Sequence, residues 1–275
     1  MNNSRGMPDI SRLSVIMATI TLSLSLTRVI PENANILSLN LFGFFIDLNF
    51  DFGSVIAIFT AIMSAAGSHW LVLSHPSQNT LSSKWYSYVR HWIIPVFTAF
   101  VITTTLNVMA RGNAWWVVFG LGSFLLMMVM IAEYNIVDIS NINHPIASVG
   151  LIALSFTLYL ILAIAIRTAD TRLYIGLPVL VLAAGLVCSR TMYLRLHGKW
   201  LLEWVAVITL VMSQLIIGFH YLPLKPIQFG IFSLGILYAL TSLFCALYEK
   251  RERFALLAEP LSMLLLIYTI GFLTG

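Results

Sequence analysis

The chain has 275 residues, of which 59% are hydrophobic and only 9% are charged, and its mean hydropathy is +0.92. A soluble domain carries about 25% charged residues, so a soluble enzyme, a disordered protein and a collagen-like chain are excluded. The net charge of +4 is the excess of 15 Lys and Arg over 11 Asp and Glu. The basic residues form no long run, so we expect no nucleic-acid partner. The composition indicates a polytopic membrane protein.

Nine stretches are apolar over about 20 residues, which is the length that a membrane-spanning helix needs. Spanning segments must satisfy their own backbone groups, so we expect these stretches to be helices. They cover residues 12–30, 53–74, 91–110, 114–133, 146–166, 173–193, 199–221, 226–248 and 256–274. The expected fold is an all-α bundle of nine transmembrane helices that forms one integral membrane domain over residues 1–275.

A short segment between the first two predicted helices has the periodicity of a strand. From Phe44 to Phe52 the even positions are apolar, and Asp47, Asn49 and Asp51 occupy odd positions. Strict alternation predicts one apolar and one polar face. Leu37, Leu39 and Leu41 alternate with polar residues upstream, so we expect an amphipathic β-hairpin over about residues 36–52.

The distribution of positive charges predicts the orientation of the chain. With the N-terminus inside, the outer segments hold five of the 15 Lys and Arg residues, and the inner segments hold the other ten. The outer five are Arg28, Arg111, Arg167, Arg172 and Lys225. Because cytoplasmic loops carry the excess of Lys and Arg, we expect a cytoplasmic N-terminus, an extracytoplasmic C-terminus and an extracytoplasmic hairpin.

Six polar residues in the predicted helices lie at a similar depth, near the cytoplasmic boundary. They are His69, His91, Glu133, Arg190, Glu203 and Glu259. His69 continues a row of alanines at positions 57, 61 and 65, and small residues in such a row allow close helix packing. Glu203 shares a helix face with residues 206, 210 and 214, and Glu259 shares one with residues 262, 266 and 269.

Two interpretations of these six residues remain open. In the first, they line a cytoplasm-facing pocket that binds an anionic headgroup or supports proton transfer by a Glu or a His. In the second, they are helix-end residues that reach water and pair structurally. Within the pocket, adjacency in the chain suggests a buried pair between Arg190 and Glu203.

No cofactor is indicated with any specificity. The cysteines, Cys188 and Cys245, lie in apolar runs as buried thiols do, and the histidine spacing does not suit a metal site. A haem between helices needs two histidines at matching depth, and His69 with His91 would supply them. The motifs of serine hydrolases and phosphate-binding loops are absent from the sequence.

Two stretches give the chain a resemblance to known sequences. Residues 194–204 read LRLHGKWLLEW, and residues 219–226 read FHYLPLKP. Together with the hairpin and a helix that ends at Ser74, His75 and Pro76, they resemble an uncharacterised family of bacterial polytopic membrane proteins, a domain of unknown function. The resemblance implies a bacterial origin and a cytoplasmic-membrane location, and it brings no activity and no catalytic residue.

Three functions are consistent with this sequence. The first is a binding or accessory protein, or a subunit of a membrane assembly, because no sharp catalytic constellation is present. The second is a carrier or flippase for a lipid-like molecule that uses the polar pocket. The third is an intramembrane enzyme that acts on a lipid-linked substrate through Glu203 or Glu133 with His69. The expected partners are membrane lipids and, for the first function, other membrane subunits.

Overall fold

A computed structural model describes residues 8–29, 35–41, 44–50, 52–75, 86–138, 144–196, 198–250 and 252–273. Within these ranges there are nine helices, all long and apolar enough to cross a membrane. They are α1 (Ile10–Val29), α2 (Phe52–Leu73), α3 (Tyr86–Val108), α4 (Asn113–Ile136), α5 (His144–Thr168), α6 (Leu173–Arg195), α7 (Leu202–Tyr221), α8 (Pro226–Tyr248) and α9 (Arg253–Leu273). The prediction of a polytopic, helical membrane protein is confirmed.

Two strands lie between α1 and α2. β1 (Asn35–Leu41) pairs antiparallel with β2 (Phe44–Phe50), with Asn35 opposite Phe50 and Leu41 opposite Phe44. The predicted hairpin covered about residues 36–52, whereas the first strand begins one residue earlier and Phe52 belongs to α2.

The chain packs as two compact units, residues 1–147 and residues 148–275. In the first unit, α1, α3 and α4 share a core that includes Ile20, Leu106 and Leu126. Gly67 lets α1 approach α2 closely, because a Cβ at this position would lie 2.5 Å from Ile16 Cγ2. Small residues therefore set the helix spacing, as is common in membranes.

The second unit is organised around α8, whose side chains contact α5, α7 and α9. Gly230 brings α8 against α5, because a Cβ there would lie 2.7 Å from Ile164 Cγ1. On the α9 side, Phe232 packs against Tyr268, with ring centroids 4.9 Å apart. The ring of Phe244 packs in the same way against Trp204 of α7 at 4.8 Å. This packing places the polar residues at the ends of α6, α8 and α9 beside one another.

Candidate functional site

Pro95 determines how α2 meets α3 in the first unit. Proline has no backbone N–H, so it leaves the carbonyl four residues earlier without a helical donor. In α3 that carbonyl belongs to His91, and the hydroxyl of Ser68 in α2 donates to it at 2.8 Å. Ser68 is only 1% exposed. A neighbouring helix thus satisfies the backbone group that the proline frees, as helices in lipid require.

The side chain of His91 forms a buried pair with Glu133 of α4. The Nδ1 and Oε2 atoms are 2.9 Å apart, and the two side chains are 2% and 1% exposed. On the other side of the ring, Arg90 Nε donates to His91 Nε2 at 3.0 Å. A guanidinium has only donors, so Nε2 is the acceptor and the imidazole proton lies on Nδ1. The imidazole therefore donates to Glu133 and links a cation to a buried carboxylate.

The pairing of His91 with Glu133 brings together two of the six predicted site residues. It also bears on the haem that the sequence suggested. Both ring nitrogens of His91 are engaged, one with Arg90 and one with Glu133. A haem iron needs a free imidazole nitrogen as its axial ligand, so His91 does not fit that role in this structure.

A groove of about 360 Å³ lies on the exposed surface of the same two helices, α2 and α3. We call it the α2–α3 groove. It is lined by Ile62, Ala65, Ala66, His69, Tyr88 and Trp92. The α2 side is apolar and opens outward, since Ile62 is 60% exposed. The predicted alanine row is oriented as expected, because Ala57 and Ala61 are buried and Ala65 and His69 are half-buried against α3.

Three aromatic rings form the polar part of the α2–α3 groove. The imidazole of His69 meets Tyr88 and Trp92 edge-on, with centroids 5.2 Å and 5.4 Å away. His69 Nδ1 and Trp92 Nε1 are buried and have no hydrogen-bond partner in the part of the chain that the structure describes. A buried polar group without a partner costs about 1–3 kcal/mol. This wall therefore carries an unsatisfied hydrogen-bonding capacity.

A second polar cluster joins α6, α8 and α9 in the second unit. Glu259 accepts from Ser242 Oγ at 2.9 Å and from Tyr238 Oη at 3.4 Å. Its other main partner is Arg195, whose Nη2 is 3.3 Å from Oε2, and Glu249 lies 3.7 Å from Arg195 Nε. Two carboxylates thus surround one guanidinium, so Arg195 itself carries no excess positive charge for an anionic headgroup. The sequence interpretation missed Arg195, although its place in the last turn of α6 put it at the right depth.

The predicted pair between Arg190 and Glu203 is wrong. Arg190 is 0% exposed, and its guanidinium lies 5.5 Å from the ring of Tyr193. Glu203 is exposed, and no hydrogen bond or ion pair joins it to any residue that the structure describes. The two residues share a depth, but the face of α7 that packs on its neighbours carries Ile208 and Met212 instead.

The prediction that Glu259 shares an inward face with residues 262, 266 and 269 is also wrong. Ser262, Leu266 and Thr269 are exposed, and the buried side of α9 carries Pro260 and Gly271. Glu259 is half-buried at the edge of that side, where it reaches Arg195. The position of Glu259 along α9 brings it level with Arg195, but the rotation of α9 about its axis was not predicted.

A small cavity lies at the opposite end of the second unit. Its volume is about 20 Å³, and its lining includes Arg167, Asp170, Thr171 and His220. A cavity needs roughly 10–15 Å³ to hold a water molecule, so this one has room for a single water. It is too small for an organic ligand.

Comparison with known proteins places most of the chain in one family. A family model described as a protein of unknown function, DUF5656, matches residues 32–274. No curated protein and no solved structure matches the chain. The matched region contains residues 194–204 and 219–226, so the resemblance to an uncharacterised family is confirmed.

Proposed function

We propose that this chain, which belongs to the DUF5656 family, is a membrane protein that binds a lipid in the α2–α3 groove. This is the binding function among those that the sequence left open. The proposal rests on one observation. The α2–α3 groove is open and apolar, and its wall contains two buried ring nitrogens, of His69 and Trp92, that have no hydrogen-bond partner among the described residues.

The dimensions and lining of the groove suit one hydrocarbon chain. Its volume of about 360 Å³ lies within the range of about 300–1,000 Å³ that is typical of small-molecule sites. It is more than twice the roughly 150 Å³ of an apolar cavity that takes up benzene. Ile62, Ala65 and Ala66 offer a surface without polar side chains, against which methylene groups pack.

The polar part of the ligand is defined by His69 and Trp92. The indole Nε1–H is a donor only, and an imidazole nitrogen donates or accepts. Both nitrogens lie beneath the groove surface, so a hydroxyl, ester or phosphate oxygen at the end of the chain satisfies the indole only when the ring turns toward the groove. The new bond then compensates for the burial of these groups. The bound molecule is therefore a lipid with a hydrogen-bond acceptor close to its hydrocarbon chain.

The alternative functions receive less support from the geometry. An intramembrane enzyme required His69, Glu133 and Glu203 at one reaction centre, but Glu133 is paired with His91 and Glu203 is exposed. A carrier required a polar pocket for a headgroup, and the Arg195 guanidinium is already neutralised by Glu249 and Glu259. Binding needs neither feature.

The orientation with a cytoplasmic N-terminus is part of this proposal, and it places His69 and Trp92 near the inner leaflet of a cytoplasmic membrane. It is tested by labelling single cysteines with a membrane-impermeant maleimide in intact cells. Cys188 and Cys245 are fully buried, so they give a low background. Arg111→Cys, in the outer loop before α4, should be labelled, and Lys199→Cys, in the inner loop before α7, should not. The reverse pattern would contradict the orientation.

The lipid proposal is tested by native mass spectrometry of protein purified in a mild detergent. Ala66→Trp fills the α2–α3 groove, and we expect it to abolish the bound-lipid adduct that the wild-type protein retains. Ile58→Trp is the matched control, because it adds the same side chain to an exposed position of α2 outside the groove. Equal lipid retention by the Ala66 and Ile58 variants would refute the proposal.

The polar contact is tested separately by Trp92→Phe, which keeps an aromatic ring and removes Nε1–H. One hydrogen bond is worth about 0.5–1.5 kcal/mol, so retention should fall roughly 2- to 10-fold. An unchanged adduct would show that the ligand is held by its hydrocarbon chain alone.

A further inference from the structure

The outward face of α7 carries a polar side chain in the middle of a membrane-spanning helix. Gln214 lies about 18 Å along the axis from the first residue of α7, within the hydrocarbon region. It is exposed, and it makes no hydrogen bond to any of the residues described by the structure. The packed face of α7 is on the other side and contains Ile208, Met212 and Ile216.

Exposed threonines in other helices, unlike Gln214, satisfy their hydrogen-bonding groups. Thr157 donates to the carbonyl of Ala153 at 3.0 Å, and Thr269 donates to that of Leu265 at 2.7 Å. A hydroxyl near the backbone satisfies itself on its own helix in this way. The amide of Gln214 makes no such bond, so in lipid it carries two donors and an acceptor without partners among the residues that the structure describes, which is unfavourable.

Small residues on the same face allow another helix to come close. Gly218 is one turn from Gln214, and a Cβ placed there would meet nothing within 4 Å. Ala206 lies two turns away in the other direction and is exposed. A small residue close to the point where two helices meet, together with an amide that bonds across helices, is typical of the way membrane helices associate.

We infer that this face of α7, hereafter the Gln214 face, is the interface with a second copy of the chain. An amide donates and accepts, so two Gln214 side chains related by a two-fold axis satisfy each other with reciprocal hydrogen bonds. A different partner would have to supply a complementary group at the same depth, whereas a second copy supplies it by symmetry. Helices that cross near Gln214 diverge toward their ends, so the two Glu203 carboxylates remain apart near the headgroups, whereas Leu210 and Gly218 stay within one turn of the crossing point.

The inference is tested by disulfide crosslinking in native membranes. Leu210 lies one turn from Gln214 on the same face and is 60% exposed, and the native cysteines are fully buried. We expect Leu210→Cys to crosslink into a covalent dimer of twice the chain mass. The matched control is Leu265→Cys on α9, which is 69% exposed and should give no dimer. A crosslink to a different protein, or equal dimer from both variants, would overturn the inference.

The role of the amide is tested by adding Gln214→Leu to the Leu210→Cys variant. Two interhelical hydrogen bonds of the strength usual in membranes should weaken the dimer roughly tenfold, as measured by crosslinked fraction at increasing lipid-to-protein ratio. An unchanged helical circular dichroism spectrum would show that the variant still folds. A dimer unaffected by Gln214→Leu would refute the proposed contact.

Discussion

The buried pair of His91 and Glu133 permits a quantitative test of what holds α3 against α4. The perturbation is a double-mutant cycle of His91→Leu, Glu133→Leu and the combined variant. The two side chains are 2.9 Å apart and at most 2% exposed, so water cannot replace either partner. We expect His91→Leu to cost about 3–5 kcal/mol of unfolding free energy, because it removes a donor from a buried carboxylate.

The combined variant should recover much of this loss. Leucine at both positions removes the buried carboxylate together with its donor, and replacing both partners of a buried hydrogen bond by apolar groups is often nearly neutral. Arg90 is half-buried in the first turns of α3, where its long side chain can extend to water. Glu133→Leu should cost less than His91→Leu, because the imidazole keeps its bond from Arg90.

The assay is reversible unfolding in mixed micelles with increasing dodecyl sulfate, followed by circular dichroism. Ordinary interhelical hydrogen bonds in a membrane protein contribute about 0.6 kcal/mol on average and about 1.7 kcal/mol at most. A coupling energy above that range would identify a charge-assisted bond from a neutral imidazole to a carboxylate, as the Arg90–His91–Glu133 arrangement indicates. A coupling energy of about 1.7 kcal/mol or less would refute this reasoning.

Two further predictions concern the first unit. Gly67→Ala should lower the free energy of unfolding by about 1–3 kcal/mol through overpacking, because its Cβ would lie 2.5 Å from Ile16; Gly120→Ala, which meets nothing within 4 Å, should be neutral in the same unfolding assay. Burial lowers the pKa of His75, and the charge of Asp138 only partly offsets this. Because the unfolded chain then binds the proton more readily, stability should fall as pH drops below about 6.5. His75→Gln should reduce that dependence in thermal unfolding scans, and an undiminished slope would contradict it.

The nine helices were predictable because length and hydropathy alone identify a membrane span. The residue at which α3 begins was not predictable in this way. The sequence placed it at residue 91, but the helix begins at Tyr86, since its first turn contains polar residues that a hydropathy criterion rejects. The predicted spans left only residues 111–113 between α3 and α4, and in the structure residues 109–112 separate the two helices.

How far along its helix each polar residue lies was predictable, and the direction in which its side chain points was not. Position along the chain fixes how far a residue lies from the end of a helix, and His91 and Glu133 do meet at one level. Rotation about the helix axis is set by packing, which a helix that is apolar on nearly every side does not reveal. For this reason Glu203 was assigned to the interior although it is exposed, and Arg195 was overlooked.

The α2–α3 groove and the buried pair are two sides of one helical turn. Ser68 and His69 are adjacent in α2, and adjacent residues of a helix point about 100° apart. The first therefore bonds to α3 at the carbonyl of His91, whereas the second faces the groove; in α3, His91 and Trp92 divide in the same manner. The buried bonds hold the ring-bearing wall in place, and a preformed wall reduces the conformational cost of binding. A variant of His91 consequently disturbs both fold and groove, whereas Trp92→Phe and Ala66→Trp leave the buried pair intact and report on binding alone.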